Sequence, residues 1–327
     1  MSKPRVYVHR LGSWYPLYMN DENEAHLRSF AEAVSEGDRD TALSADQLAE
    51  RLTGCRAILS LNGIGAEEIT ADVLEAVGSI EVICIAHWWA QLVDAAREAG
   101  IRVTEGSNAN TIAVAEWTIA AALMGIRKLP AFDQALKDGS PWAEPRRQVG
   151  LLCESTVGLV GLGRIGWYTA QCFRALGARV IAHDKVATKA DELGLPLVAL
   201  EELLQTADVV SLHLPVTEET TGMLGSREFS LIKDGAIFIN SARAALYDEA
   251  ALVAELSKNR FTAYLDVFAT EPLPLDHPFR TMANVTLTPH IAGDNAAMFL
   301  RCAREAIQTL KDYFDGKGLR SLQYRYP

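Results

Sequence analysis

What this chain lacks narrows its function before any motif is considered. It has five cysteines in 327 residues: Cys55, Cys84, Cys153, Cys172 and Cys302. They are scattered, odd in number and never spaced as CxxC, so buried reduced thiols are expected rather than a disulfide framework. No apolar run reaches the roughly 18 residues of a membrane span. The N-terminus, Met1-Ser2-Lys3-Pro4-Arg5, leads into a strand pattern without a signal sequence. Positive charge is scarce: 31 Lys and Arg stand against 42 Asp and Glu, a formal net charge of −11. Nucleic acid and anionic membrane both demand clustered cations, so neither is an expected partner. His9, His26, His183 and His277 show no ligand spacing with Cys or acid, so no metal is implied. GxSxG turns, Walker turns and paired-carboxylate helices are missing too, as are repeats and low-complexity segments. The expectation is a cytoplasmic chain.

What is there is an alternation. Apolar residues at 49% and charged ones at 22% are an ordinary globular balance, and 327 residues predict two domains. Strand-like runs at 6–9, 57–61, 80–85 and 101–104 are separated by helical patterns at 25–34, 45–52, 71–77 and 92–99. A long apolar helix is predicted over 111–127, stopped near Pro130, and 137–154 is predicted as loop. Six further strands begin at Thr156 and recur at 178–183, 208–214, 236–240, 262–268 and 285–288, before an amphipathic helix at 296–314. Strand and helix taking turns marks a parallel, doubly wound α/β architecture.

The sharpest signal is Val157-Gly158-Leu159-Val160-Gly161-Leu162-Gly163-Arg164-Ile165-Gly166, a buried strand running into a glycine turn. A helix pattern follows at 167–176, then a strand at 179–183 that ends on Asp184. Gly161 permits the tight turn, Gly163 lets backbone approach a pyrophosphate, and Gly166 lets the helix lie close on the sheet. The diphosphate then meets the helix start at Arg164 and Ile165, where unpaired N–H groups and the dipole favour negative charge. Asp184, 18 residues past Gly166, is placed to accept the adenosine ribose hydroxyls. A 2′-phosphate would meet a like charge there, so NAD is expected rather than NADP. A lone GxGxxG is weak; strand before, helix after and acid at this distance make it strong.

Ligands of doubly wound sheets bind beyond the carboxyl ends of the strands. Three reactive side chains fall just past predicted strand ends: Arg243, Glu271 and His290. An arginine fork can hold a carboxylate and polarise the adjacent carbonyl. A histidine can exchange the proton that accompanies hydride transfer, and a glutamate beside it would orient the ring and stabilise the imidazolium. Singly, each has a plainer reading: a surface ion pair, a solvated turn residue, a core histidine. Together, downstream of a cofactor turn, they suit interconversion of 2-oxo and 2-hydroxy acids. His213 ends a strand near the adenine side and reads as cofactor wall or structural residue.

Three spaced segments add a resemblance. They are Asn240-Ser241-Ala242-Arg243, the run from Asp266 through Glu271-Pro272 to His277-Pro278, and Thr288-Pro289-His290-Ile291-Ala292. With the glycine turn, the chain resembles the D-isomer-specific 2-hydroxyacid dehydrogenase family over nearly its whole length. The resemblance implies Arg243, Glu271 and His290 as catalytic trio and Asp266 as partner of the nicotinamide carboxamide. It also implies Pro215 and Thr220, with Ser241, Ala242 and Gly293, along the cofactor. It further implies a Rossmann NAD domain at 108–293 inserted in a flavodoxin-like substrate domain of 1–107 and 294–327. The crossover helix near Asn108 usually builds a dimer interface, so a homodimer is expected. A dinucleotide-sensing binding protein, like corepressors of this fold, is the alternative without turnover.

Departures stand beside the likeness. Where the family has a glycine-rich loop for the substrate carboxylate, this chain has Ile85-Ala86-His87-Trp88-Trp89-Ala90. His87 and Trp88 are therefore candidate substrate contacts, with interdomain packing as the other reading of the tryptophans. Ala244 and Tyr264 replace glycines, and Tyr247 replaces a small aliphatic residue. These changes leave the cofactor assignment standing and the substrate's identity open.

Overall fold

The computed structural model describes residues 2–318 apart from 11, 13, 36–38, 40, 63–65, 87–89, 106–107, 141, 143–148 and 187. The chain forms two compact units, one of Met1–Asn110 with Asp294–Pro327 and one of Thr111–Gly293. No described helix is long and apolar enough to cross a membrane.

The first unit holds β1 (Arg5–His9), β2 (Glu32–Val34), β3 (Ala57–Ser60), β4 (Val82–Ile85) and β5 (Arg102–Glu105). All are parallel, in the order β2-β1-β3-β4-β5, the flavodoxin-like order. β3 and β4 are buried at every position, as strands covered on both faces must be. The helix Ala296–Phe314 returns to this unit and buries Met298, Phe299, Ile307 and Leu310. Trp14 and Tyr18 set their rings against Phe299, and the buried Asn23 side chain donates to the Leu300 carbonyl at 2.9 Å.

The helix expected at 25–34 is instead Asp21–Phe30, followed by β2. Asn20 caps it by accepting the Asn23 N–H, and Asp21, Glu22 and Glu24 suit the positive end of the helix dipole. Beyond it Ala31 turns extended, and residues 32–34 pair with residues 5–7 of β1.

The second unit holds β6 (Thr156–Val160), β7 (Arg179–His183), β8 (Val209–Leu212), β9 (Ile237–Asn240), β10 (Thr262–Leu265) and β11 (Val285–Leu287). The sheet is again parallel, ordered β11-β10-β9-β8-β6-β7, with Leu197 bridging to Ala182 beyond β7. Strand order reverses between β6 and β8, and the crevice beyond their carboxyl ends is where such sheets bind nucleotides. Apolar cores lie around Phe229, Phe238 and Phe261 and around Val157, Phe173 and Tyr264.

The helix Asn108–Ile126 carries the chain into this unit. Lys128 then adopts a left-handed conformation (φ 50°), and a second helix, Leu129–Lys137, starts in place of the expected stop. Pro130 lies in its first turn, where a missing N–H costs nothing. The departures Tyr264 and Tyr247 are absorbed by packing. A Cβ on Gly125 would come within 3.1 Å of the Tyr264 ring and 2.6 Å of Ile237, so a glycine on the helix makes room for both. Tyr247 packs edge-on against Phe229 and Phe238.

Candidate active site

β6 ends at Val160 and the chain turns at Gly161, whose φ of +103° disfavours any side chain. A Cβ on Gly166 would lie 2.1 Å from the Gly161 carbonyl oxygen, so the helix Arg164–Ala175 closes on the turn only with glycine there. Gly163 is the N-cap and brings no capping side chain; a Cβ on it would meet nothing nearer than the His213 oxygen at 3.9 Å. The helix start at Arg164, Ile165 and Gly166 thus lacks a side-chain cap, and the space over Gly163 is open. That cradle fits a diphosphate.

Asp184 follows β7. Its Oδ2 accepts the Leu162 N–H at 2.5 Å and its Oδ1 the Val186 N–H at 2.7 Å. A carboxylate offers about four acceptor positions, so Asp184 holds the turn in shape and keeps capacity for ribose hydroxyls. His213 follows β8, with Nε2 3.0 Å from Ser211 Oγ. Burial pushes its pKa down to about 4, so a neutral imidazole underlies the glycine turn. Thr220 closes the next loop by donating to the Pro215 carbonyl at 2.7 Å and accepting the Thr217 N–H at 2.8 Å. Together these residues fit a dinucleotide.

Arg243 leaves the end of β9. Asn240 pins its segment, accepting the Ala242 N–H and donating to the Arg243 carbonyl, each at 2.9 Å. Ser241 is buried with its Oγ 3.4 Å from Thr118 Oγ1 on the crossover helix. The exposed Arg243 side chain donates from Nη1 to the Ala242 carbonyl at 2.6 Å. Its other N–H groups have no partner among the described residues.

Glu271 Oε1 accepts the Phe268 N–H at 2.9 Å, and its Oε2 stands 2.7 Å from His290 Nδ1. Burial would raise the Glu271 carboxyl. Hydrogen bonds from His290 and the Phe268 N–H, with the charges of His290 and Arg243, outweigh that and hold it below the usual carboxylate range. His290 Nε2 has no partner among the described residues.

His290 itself is left-handed (φ 56°), a conformation uncommon without glycine. Asp266 holds it there. The Asp266 carbonyl accepts the His290 N–H at 2.8 Å. Its fully buried carboxylate accepts Thr288 Oγ1 at 2.5 Å, the Ile291 N–H at 2.9 Å and the Ala292 N–H at 2.8 Å. Three of about four acceptor positions are thus filled from its own chain. The sequence reading missed this anchoring role; the signal available was a Thr two residues before His290. It also missed a second pair, His277 Nε2 and Glu249 Oε1 at 3.0 Å, which ties the Glu271 loop to the helix Glu249–Leu256. Gly293 closes the second unit. His87 and Trp88, the candidate substrate contacts, lie outside the described residues.

Comparison with known proteins shows which chains this one is similar to. The family model described as D-isomer specific 2-hydroxyacid dehydrogenase, NAD binding domain, matches residues 119–292. The chain is 35% identical to D-3-phosphoglycerate dehydrogenase of Archaeoglobus fulgidus over 259 residues, 77% of this chain and 48% of that protein. It thus spans about half the length of that relative. It is 31% identical to glyoxylate reductase of Thermofilum pendens over 320 residues, 95% of this chain and 91% of that protein. The crystal structure of TT0316 protein from Thermus thermophilus superposes with a TM-score of 0.73 at 32% identity, covering 97% of this chain and 99% of that one.

Proposed function

The chain belongs to the D-isomer-specific 2-hydroxyacid dehydrogenase family and carries its NAD-binding domain, and from that premise we propose that it interconverts a 2-oxo acid and its 2-hydroxy acid. The glycine turn, Asp184 and the loop of Pro215 and Thr220 would hold NAD(H), which would supply or accept the hydride when bound. Arg243 binds the substrate carboxylate and neutralises charge developing on the carbonyl oxygen. His290 Nε2 gives that oxygen its proton, or removes it in the other direction. Glu271 fixes the ring through Nδ1 and stabilises its protonated form. Asp266 holds the turn that presents His290.

The 2.7 Å contact between His290 and Glu271, under the charge of Arg243, carries this reading. A solvated turn glutamate and a core histidine would have no reason to meet at this distance. Glyoxylate and hydroxypyruvate head the substrate panel, since one relative is named for glyoxylate. The test follows NADH absorbance with these and longer 2-oxo acids. Turnover with at least one acid is expected. No turnover with any acid, together with NAD-driven assembly, would move the protein to the dinucleotide sensors. We also place a homodimer in the reading, through the helices Asn108–Ile126 and Leu129–Lys137.

A further inference from the structure

The second unit contains a cavity of about 580 Å³ that shares Glu271 and His290 with the site above. Arg243, Asp184 and the glycine turn take no part in its wall. We infer that this cavity binds a small amphipathic carboxylate, which slows turnover without displacing the substrate.

The size is that of a small-molecule pocket, and its wall has the usual make-up of apolar surface with a few polar groups. Phe268, Leu273 and Leu287 supply apolar surface, and Arg280 supplies charge. Arg280 is already fixed: Nε donates to the Pro274 carbonyl at 2.8 Å and Nη2 to the Leu273 carbonyl at 2.7 Å. Its Nη1 has no partner among the described residues. The ordering cost of a long side chain is thus largely met before a ligand arrives, which favours binding. Both Glu271 oxygens already have a hydrogen-bond partner, the Phe268 N–H and His290, so the carboxylate offers a ligand less than Arg280 does. A cationic ligand would meet Arg280 as a like charge. A neutral apolar ligand would strip water from Nη1 and give it no acceptor in return. A carboxylate on an apolar body satisfies both walls.

An occupant would exclude water from Glu271. Drying favours the neutral carboxyl and weakens its hold on the protonated imidazole, so proton exchange slows while the substrate's arginine is untouched. This effect on rate rests on the proposed function; the binding itself does not.

The test uses 4-phenylbutyrate as probe and its uncharged amide as control, titrated calorimetrically into the full chain with NADH. The acid is expected to bind with Kd below about 1 mM and the amide at least about tenfold more weakly. Arg280→Gln should bring the acid to the amide's affinity with NADH affinity and uninhibited turnover unchanged. In turnover assays the acid should lower kcat and leave KM for the 2-oxo acid in place. Equal binding of acid and amide to the wild-type protein, or no binding up to ~10 mM, overturns the inference. Competition with the 2-oxo acid, with Arg243→Gln abolishing probe binding, overturns it too, because the probe would then occupy the substrate's place. If the protein turns over no acid at all, the calorimetric comparison still decides the site.

Discussion

Buried beneath the glycine turn, His213 takes up its proton only near pH 4, against 6.5 for an unperturbed imidazole. Between those values the unfolded chain binds a proton that the folded chain refuses. Stability is therefore intact above about pH 6.5 and falls as pH drops towards 4, by roughly 3 kcal/mol. His213→Gln keeps a polar partner for Ser211 and removes the titration, so its urea midpoint should fall less steeply between pH 6.5 and 4.5 than the wild type's. An unchanged slope would assign the acid lability to other groups. At Arg243 the geometry of the fork matters as well as the charge. Arg243→Lys should lower kcat/KM at least about tenfold, because an ammonium cannot reproduce two parallel donors. Unaltered kinetics would remove Arg243 from the mechanism. On the proposed function Asp184 has two tasks, since its oxygens also hold the Leu162 and Val186 N–H groups. Asp184→Ser should weaken NADH binding and shrink the preference for NADH over NADPH by about tenfold. A variant still blind to NADPH, measured by fluorescence titration of both dinucleotides, would put selectivity elsewhere.

Among the elements, the helix Leu129–Lys137 is amphipathic yet buries no residue, with Leu129 and Leu136 more than half exposed. An apolar stripe on a short helix is stable in water only when something covers it. A second copy of the chain is the proposed cover, so Leu129→Asp with Leu136→Asp should shift the sedimentation coefficient from dimer to monomer. A wild type that already sediments as a monomer at micromolar concentration would refute the homodimer. This helix was illegible in the sequence because Pro130 reads as a stop, whereas here the break falls at Lys128 and the proline opens a new helix. β2 was illegible for a different reason: three residues cannot display a period, and their pairing with β1 is a tertiary fact. The parallel fold class was legible because β-branched and aliphatic runs such as Val157–Val160 recur at βαβ spacing. At the site, sequence names Glu271 and His290 as chemical partners, and the structure sets their atoms 2.7 Å apart. For the three acceptor positions that Asp266 spends on the His290 turn the sequence offers only Thr288 as a sign, because the other two donors are backbone groups.

On the scale of the whole molecule, the second unit is one unbroken stretch, Thr111–Gly293, whereas the first is assembled from both ends of the chain. The consequence for stability is unequal. Met298, Phe299, Ile307 and Leu310 bury their side chains from the helix Ala296–Phe314, and each large apolar side chain is worth about 1.5–3 kcal/mol when buried. Four of them amount to roughly 6–12 kcal/mol, comparable to the entire net stability of an ordinary domain. A chain ended after Gly293 should therefore lose the first unit, while the second keeps both of its cores, the glycine turn and Asp184. Limited proteolysis of that variant should leave a resistant fragment close to 108–293, identified by mass spectrometry. The fragment should still quench or shift NADH fluorescence. Degradation of the variant without a resistant fragment would mean that the second unit depends on the first for its fold.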